Sequence, residues 1–110
     1  MAQIIAIANQ KGGVGKTTTT LNLAYSLHNM GLKVLTVDFD SQANLTTCFG
    51  VEAPNEVETN IADLMMLMMD EKELPEPKSY VLSHDGVDFI PSSISLSVID
   101  AKLRLEMGAE

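Results

Sequence analysis

Between Gln10 and Thr20 the chain reads Q-K-G-G-V-G-K-T-T-T-T, which packs three glycines, two lysines and four threonines into eleven positions. Glycines 12, 13 and 15 open backbone conformations closed to other residues and remove side chains that would hold an anion away from the amide N–H groups. A helix starting near Lys16 would aim its free N–H groups and the positive end of its dipole at the same point. Lys16 supplies a point charge for β and γ phosphates, Thr17 a hydroxyl for Mg²⁺, and Thr18 a donor for a further phosphate oxygen. Lys11 to Thr18 therefore reads as a phosphate-binding loop for a magnesium nucleotide.

The bland alternative is a flexible glycine turn between a strand and a helix. K-G-G-x-G-K-[ST]-[ST] would arise by chance in roughly one in a million chains of this length, given ordinary residue frequencies. Four β-branched threonines in a first helical turn also cost together on the order of 2 kcal/mol relative to alanine. Capping accounts for one of them, hardly for four.

The flanking segments supply the elements that such a loop needs. Gln3 to Ala8 is a short, nearly all-apolar run that suits a strand buried on both faces of a parallel sheet. From Thr17 to Met30, Leu21, Ala24 and Leu27 recur at helical spacing, and Gly31 stands where a C-terminal cap belongs. Leu32 to Val37 reads as a second strand ending in Asp38, so a right-handed parallel crossover is expected. Thr46 to Glu58 reads as irregular, with Gly50 and Pro54 as breakers. Asn60 is placed to cap a helix to about Asp70. An acidic connection from Glu71 to Ser79 follows. Val87 to Ile90 is a third strand closed by Pro91, and Ser95 could cap a last helix with Leu96, Ile99, Leu103 and Met107 on one stripe. The expected class is α/β.

Composition narrows the function. The 110 residues allow one small domain. Hydrophobic residues at 45% and charged residues at 20% are ordinary for a globular fold. Seven basic against fifteen acidic residues give a net charge of −8. The five lysines and arginines outside the loop form no patch, so this segment is a poor grip for nucleic acid. Cys48 is the single cysteine, which excludes an internal disulfide and a thiolate metal site within one chain. No apolar stretch approaches the roughly 20 residues of a membrane span, and a reducing cytoplasm fits best. Met65, Met66, Met68 and Met69 read as core packing on the 61–70 helix, with an adaptable binding surface second. His28 and His84 read as surface or boundary residues.

The strict pattern G-x-x-x-x-G-K-[ST] is not met: Gln10 stands at its first glycine, and an additional lysine stands at 11. N-Q-K-G-G-V-G-K-T-T-T-T, followed by V-D-F-D-S-Q-A-N-L, closely resembles the deviant Walker A partition ATPases, the ParA and Soj proteins, with MinD and the nitrogenase iron protein as relatives. P-S-S-I-S-L after Ile90 resembles the same family. The resemblance implies a P-loop NTPase fold binding ATP and Mg²⁺. Lys11, Gly12, Gly13, Val14, Gly15, Lys16, Thr17 and Thr18 would cradle the nucleotide, and Lys11 would reach across an ATP-sandwiched homodimer. Asp38 and Asp40 match the switch I aspartates, the first near the Mg²⁺ shell with Thr17, the second positioning the attacking water. Lys11, Lys16 and Asp40 would then be the catalytic set. Left open are a solvated-loop role for Lys11, a strand-end turn for Asp38, a capping role for Asp40, and a Walker B assignment for V-L-T-V-D. Serine at 41, where the family usually has proline, points to a less rigid switch I backbone.

No second apolar strand ending in aspartate follows Ile90, so residues 1–110 are expected to be the N-terminal part of such a domain. Weak nucleotide affinity, negligible turnover and self-association through open sheet edges are expected of them. For the intact protein the resemblance implies a cytoplasmic, nucleoid-associated ATPase for plasmid or chromosome partitioning. It would have a ParB-like partner and nonspecific DNA contacts in the missing C-terminal half, and no membrane attachment. A MinD-like membrane positioning ATPase, a dinucleotide-binding domain and a noncatalytic interaction module are the rivals.

Overall fold

The computed structural model describes residues 2–7 and 14–106. Among these residues four α-helices, α1 (Val14–Asn29), α2 (Asn44–Cys48), α3 (Ile61–Met69) and α4 (Leu96–Glu106), accompany three strands, β1 (Leu35–Val37), β2 (Leu82–His84) and β3 (Val87–Ile90). The strand order is β1-β3-β2. β1 runs parallel to β3 with Val37 opposite Ile90, and β2 runs antiparallel to β3 with His84 opposite Val87. The class is α/β as expected, but the sheet is mixed.

The pleat of β3 sorts the two cores. Val87 and Phe89 point to one face, where they pack with Ala24 of α1 and with Leu45 and Phe49 around α2. Ile90 points to the other, against Ile61, Ala62 and Leu64 of α3 and Leu96 and Ile99 of α4. Helices thus cover both faces of the sheet. Phe49 stacks on Phe89 at 4.6 Å between ring centres and meets Tyr25 at 6.2 Å. The Tyr25 phenol is pushed up from its usual value, first by partial desolvation and then by the Asp85 carboxylate.

Local chemistry explains the helix ends. Past α1, Leu32 N–H donates to Leu27 O at 3.2 Å and Gly31 N–H to His28 O at 2.9 Å, with Gly31 at φ 87°. This is the left-handed glycine stop expected from the sequence. Asn60 caps α3: its side chain accepts from Ala62 N–H at 2.8 Å while Asp63 accepts from Asn60 N–H at 2.9 Å, a reciprocal capping box. Met65, Met66 and Met69 pack against the α3/α4 core, whereas Met68 is 63% exposed.

Three expectations are corrected. Of the expected Gln3–Ala8 strand, the described part does not form: residues 2–7 have no regular structure and Ile4 is 96% exposed, while Ala8 lies outside the described residues. A strand buried on both faces needs a hydrogen-bonded neighbour, and among the described residues none pairs with this run. The parallel pair is instead β1 with β3, joined through α2, α3 and β2. The 46–58 segment is more ordered than expected, because α2 runs to Cys48 and a 3-10 turn spans Pro54–Glu56. β2 was not anticipated. It pairs with β3 through a tight turn in which Asp85 and Gly86 take φ 51° and 87°, the geometry that Asp-Gly favours. Met107 lies outside the described residues.

Candidate functional site

The phosphate-loop residues divide at the start of α1. Lys11, Gly12 and Gly13 lie outside the described residues, and Val14 opens the helix, two residues before the expected start. Gly15 and Thr18 are exposed, while Lys16 and Thr17 are half-buried. The first turn carries no acidic side chain, so nothing within it offsets the positive end of a 16-residue helix dipole. A methyl group added at Gly15 would meet nothing within 4 Å. Packing within the described chain therefore does not require glycine there, whereas close approach of an anion to the backbone would. Thr20 spends its hydroxyl locally, donating to Lys16 O at 2.8 Å.

The two aspartates sit past the C-terminal end of β1 and share one network. Asp38 is 4% exposed. Its Oδ1 accepts Asp40 N–H at 3.0 Å, and its Oδ2 accepts Thr46 N–H at 2.9 Å and the Thr46 hydroxyl at 2.6 Å. Asp40, half-buried, accepts Gln42 N–H on Oδ1 and the Asn44 side-chain amide on Oδ2, both at 3.0 Å. Its carbonyl accepts Ala43 N–H at 2.8 Å. Ala43 takes φ 57°, a left-handed conformation unusual for a residue with a Cβ, and from it α2 departs. The Asp38–Ala43 turn is thus held by its own carboxylates.

The structure joins Asp38 to Asp40 directly; among the described residues no hydrogen bond joins either of them to Lys16 or Thr17. It also adds two residues that spacing did not single out. Thr46, fully buried, bonds Asp38 and accepts Ser92 N–H at 2.9 Å. Ser92 follows β3 within the P-S-S segment noted above, and that segment was the available signal. Asp38 N–H donates to Ile90 O at 3.2 Å, so the ends of the two parallel strands close on one another. Ligands of open α/β sheets bind at this carboxyl end of the strands. Two surface concavities flank the turn: Phe39, Met65, Leu96 and Leu103 help line one, Pro54, Asn55 and Ile94 the other, and Ser41 borders both. No helix among the described residues is long and apolar enough to cross a membrane.

Comparison with known proteins agrees with this architecture. A family model described as an AAA domain matches residues 2–110. The sporulation initiation inhibitor protein Soj of Bacillus subtilis is 39% identical over 94% of this chain, which covers 39% of Soj. The chromosome partitioning protein ParA of Caulobacter vibrioides is 38% identical over 92% of this chain, covering 36% of that protein. A crystal structure of cobyrinic acid a,c-diamide synthase from Mycobacterium smegmatis, with bound ADP and magnesium, superimposes with a TM-score of 0.79. It is 35% identical, and the match covers 94% of this chain and 40% of that one. The chain thus spans well under half the length of these relatives.

Proposed function

Since the chain belongs to the AAA domain family of ParA- and Soj-like P-loop ATPases, we propose that it is the N-terminal, nucleotide-binding part of an ATP-hydrolysing switch of the partitioning type. The observation that carries this is the half-buried Lys16–Thr17 pair in the first turn of a long helix free of acid there, following the glycines of the loop. These residues fit a triphosphate with Mg²⁺, since lysine and an unopposed helix N-terminus suit phosphate and a threonine hydroxyl suits the metal. The magnesium nucleotide bound to the Mycobacterium neighbour supports the same fit.

In this proposal Lys11, Gly12, Gly13, Val14, Gly15, Lys16, Thr17 and Thr18 hold the nucleotide, and Thr17 supplies the metal's hydroxyl ligand. Mg²⁺ neutralises charge on the phosphate oxygens. Asp38, buried with three donors on its carboxylate, would contribute negative charge near the metal's shell. Asp40, less buried and held by Gln42 and Asn44, orients the attacking water. Phosphoryl transfer depends mainly on positioning and charge stabilisation, which are the contributions these groups can make. Lys11 completes the partner's site in an ATP-dependent homodimer. The intact protein then contacts DNA nonspecifically, responds to a ParB-like partner, and works in the cytoplasm on plasmid or chromosome cargo.

Isothermal titration with Mg-ATP tests the reading. Lys16→Ala is expected to weaken binding at least 100-fold, about 2.7 kcal/mol, with melting unchanged within a few degrees. Equal affinity in the variant and the wild type would sink the proposal. The Mycobacterium neighbour suggests amide synthesis as a second reading, and ATP turnover that waits on a carboxylic acid co-substrate would favour it.

A further inference from the structure

Thr46 lies 46 residues before its partner Ser92 in the chain, has no solvent exposure, and joins two segments that flank the candidate site. Its hydroxyl has one proton and two lone pairs. The proton goes to Asp38 Oδ2 at 2.6 Å, within the range of a charge-assisted bond, and one lone pair takes Ser92 N–H at 2.9 Å. Its own N–H reinforces the first contact at 2.9 Å. A purely space-filling role at a fully buried position would be served by valine, which has nearly the same shape and no polar atom to satisfy. The hydroxyl is needed only because a carboxylate and a backbone amide converge on it. Those two partners follow β1 and β3, adjacent parallel strands, at their carboxyl ends. Pro91 O in turn accepts Ile61 N–H at 2.8 Å, so the start of α3 is anchored to the same point.

We propose that Thr46 is a positioning residue: by clamping Asp38 to the Pro91–Ser92 segment, it fixes the turn that presents Asp40, so a shift at the end of β3 moves the hydrolytic carboxylate. Asp38 transmits the constraint through Asp40 N–H at 3.0 Å. The inference rests on the proposed ATPase function. Misplacement of a reacting group by about 1 Å costs on the order of 100-fold in rate, so loosening this clamp would register in turnover more than in binding.

The test uses the protein at its full encoded length, with Thr46→Val removing the hydroxyl and Thr46→Ser keeping it. ATP hydrolysis and amide hydrogen exchange are read together. Thr46→Val is expected to lower kcat at least tenfold per folded molecule with KM within threefold, and to speed exchange at Asp40 and Ser92 N–H while Leu64 N–H in α3 is unchanged. Thr46→Ser should restore both. A Thr46→Val protein with wild-type kcat, or one whose loss matches its unfolded fraction, overturns the inference, as does failure of Thr46→Ser to rescue. If Thr46→Val does not fold, Thr46→Ser alone decides: kcat within threefold of wild type supports the clamp, and a tenfold loss in a folded protein counts against it. A wild type that neither binds nor hydrolyses Mg-ATP would instead sink the ATPase reading, and the positioning role with it.

Discussion

Replacing Asp38 with asparagine keeps the shape of a buried side chain while removing half of its accepting capacity. Three donors converge on the carboxylate: Asp40 N–H on Oδ1, and Thr46 N–H and hydroxyl on Oδ2. The amide oxygen of asparagine would best take the Oδ2 position, where two donors point, and its NH₂ would then face Asp40 N–H, leaving that donor unmatched. An unsatisfied, partly buried donor costs about 1–3 kcal/mol, and turning two charge-assisted bonds into neutral ones loses about 1 kcal/mol each. Relief of carboxylate desolvation offsets part of this, so Asp38→Asn should destabilise the chain by about 2–4 kcal/mol. Total stability is on the order of 5–15 kcal/mol, so the loss is a sizeable share, visible as a fall in melting temperature of roughly 8–16 °C. Urea unfolding followed by circular dichroism measures it, with the midpoint falling and the slope unchanged. A cycle with Thr46→Val should show about 1–3 kcal/mol of coupling, because that variant removes one of the two bonds the residues share. A loss under about 0.5 kcal/mol, or strictly additive effects, would refute the view that this network holds the turn.

Two further outcomes concern backbone conformation, both measured by thermal unfolding. Glu71 occupies the left-handed position after α3 at φ 56°, with Lys72 N–H donating to Leu67 O at 2.9 Å and Glu71 N–H to Met68 O at 3.1 Å; Glu71→Gly should stabilise by about 0.5–1 kcal/mol, since it keeps the bonds and removes the Cβ strain. Gly86→Ala should destabilise by about 2 kcal/mol, because φ is 87° and the added Cβ would clash with the His28 ring; adding His28→Ala should recover only the steric share.

The fold was legible where a single residue type dictates local geometry. Gly31 stops α1 and Asn60 starts α3 because each satisfies backbone groups that the helix cannot satisfy itself. The Val87–Ile90 strand was legible from its apolar run and Pro91. Its hairpin partner was missed although Asp85-Gly86 announced the turn, because Leu82–His84 is three residues long and alternates too briefly to register as a strand. The described part of the Gln3–Ala8 run, residues 2–7, failed for the opposite reason. Its composition is that of a buried strand, yet a strand is made by its neighbours, and residues 2–7 gain no ladder among the described residues.

The candidate site shows the same division between local and distant determination. The phosphate loop is contiguous, so glycine, lysine and threonine spacing alone defines the chemistry offered to a nucleotide. Asp38 and Asp40 were singled out because the V-D-F-D-S-Q-A-N-L segment resembles the switch I of the partition ATPases. What residue spacing could not express is that Asp38 is held by Thr46 of α2, 8 residues on, and that Thr46 is in turn held by Ser92 beyond β3, a further 46 residues away. Thr46 looked like the opening of an irregular stretch, and only its burial between a carboxylate and an amide gives it meaning. The consequence is physical: the proposed phosphate loop draws only on neighbours in sequence, whereas the distant half requires β1, β3 and α2 to be packed together before Asp40 has a fixed place. Nucleotide binding should therefore tolerate damage to this packing better than hydrolysis does.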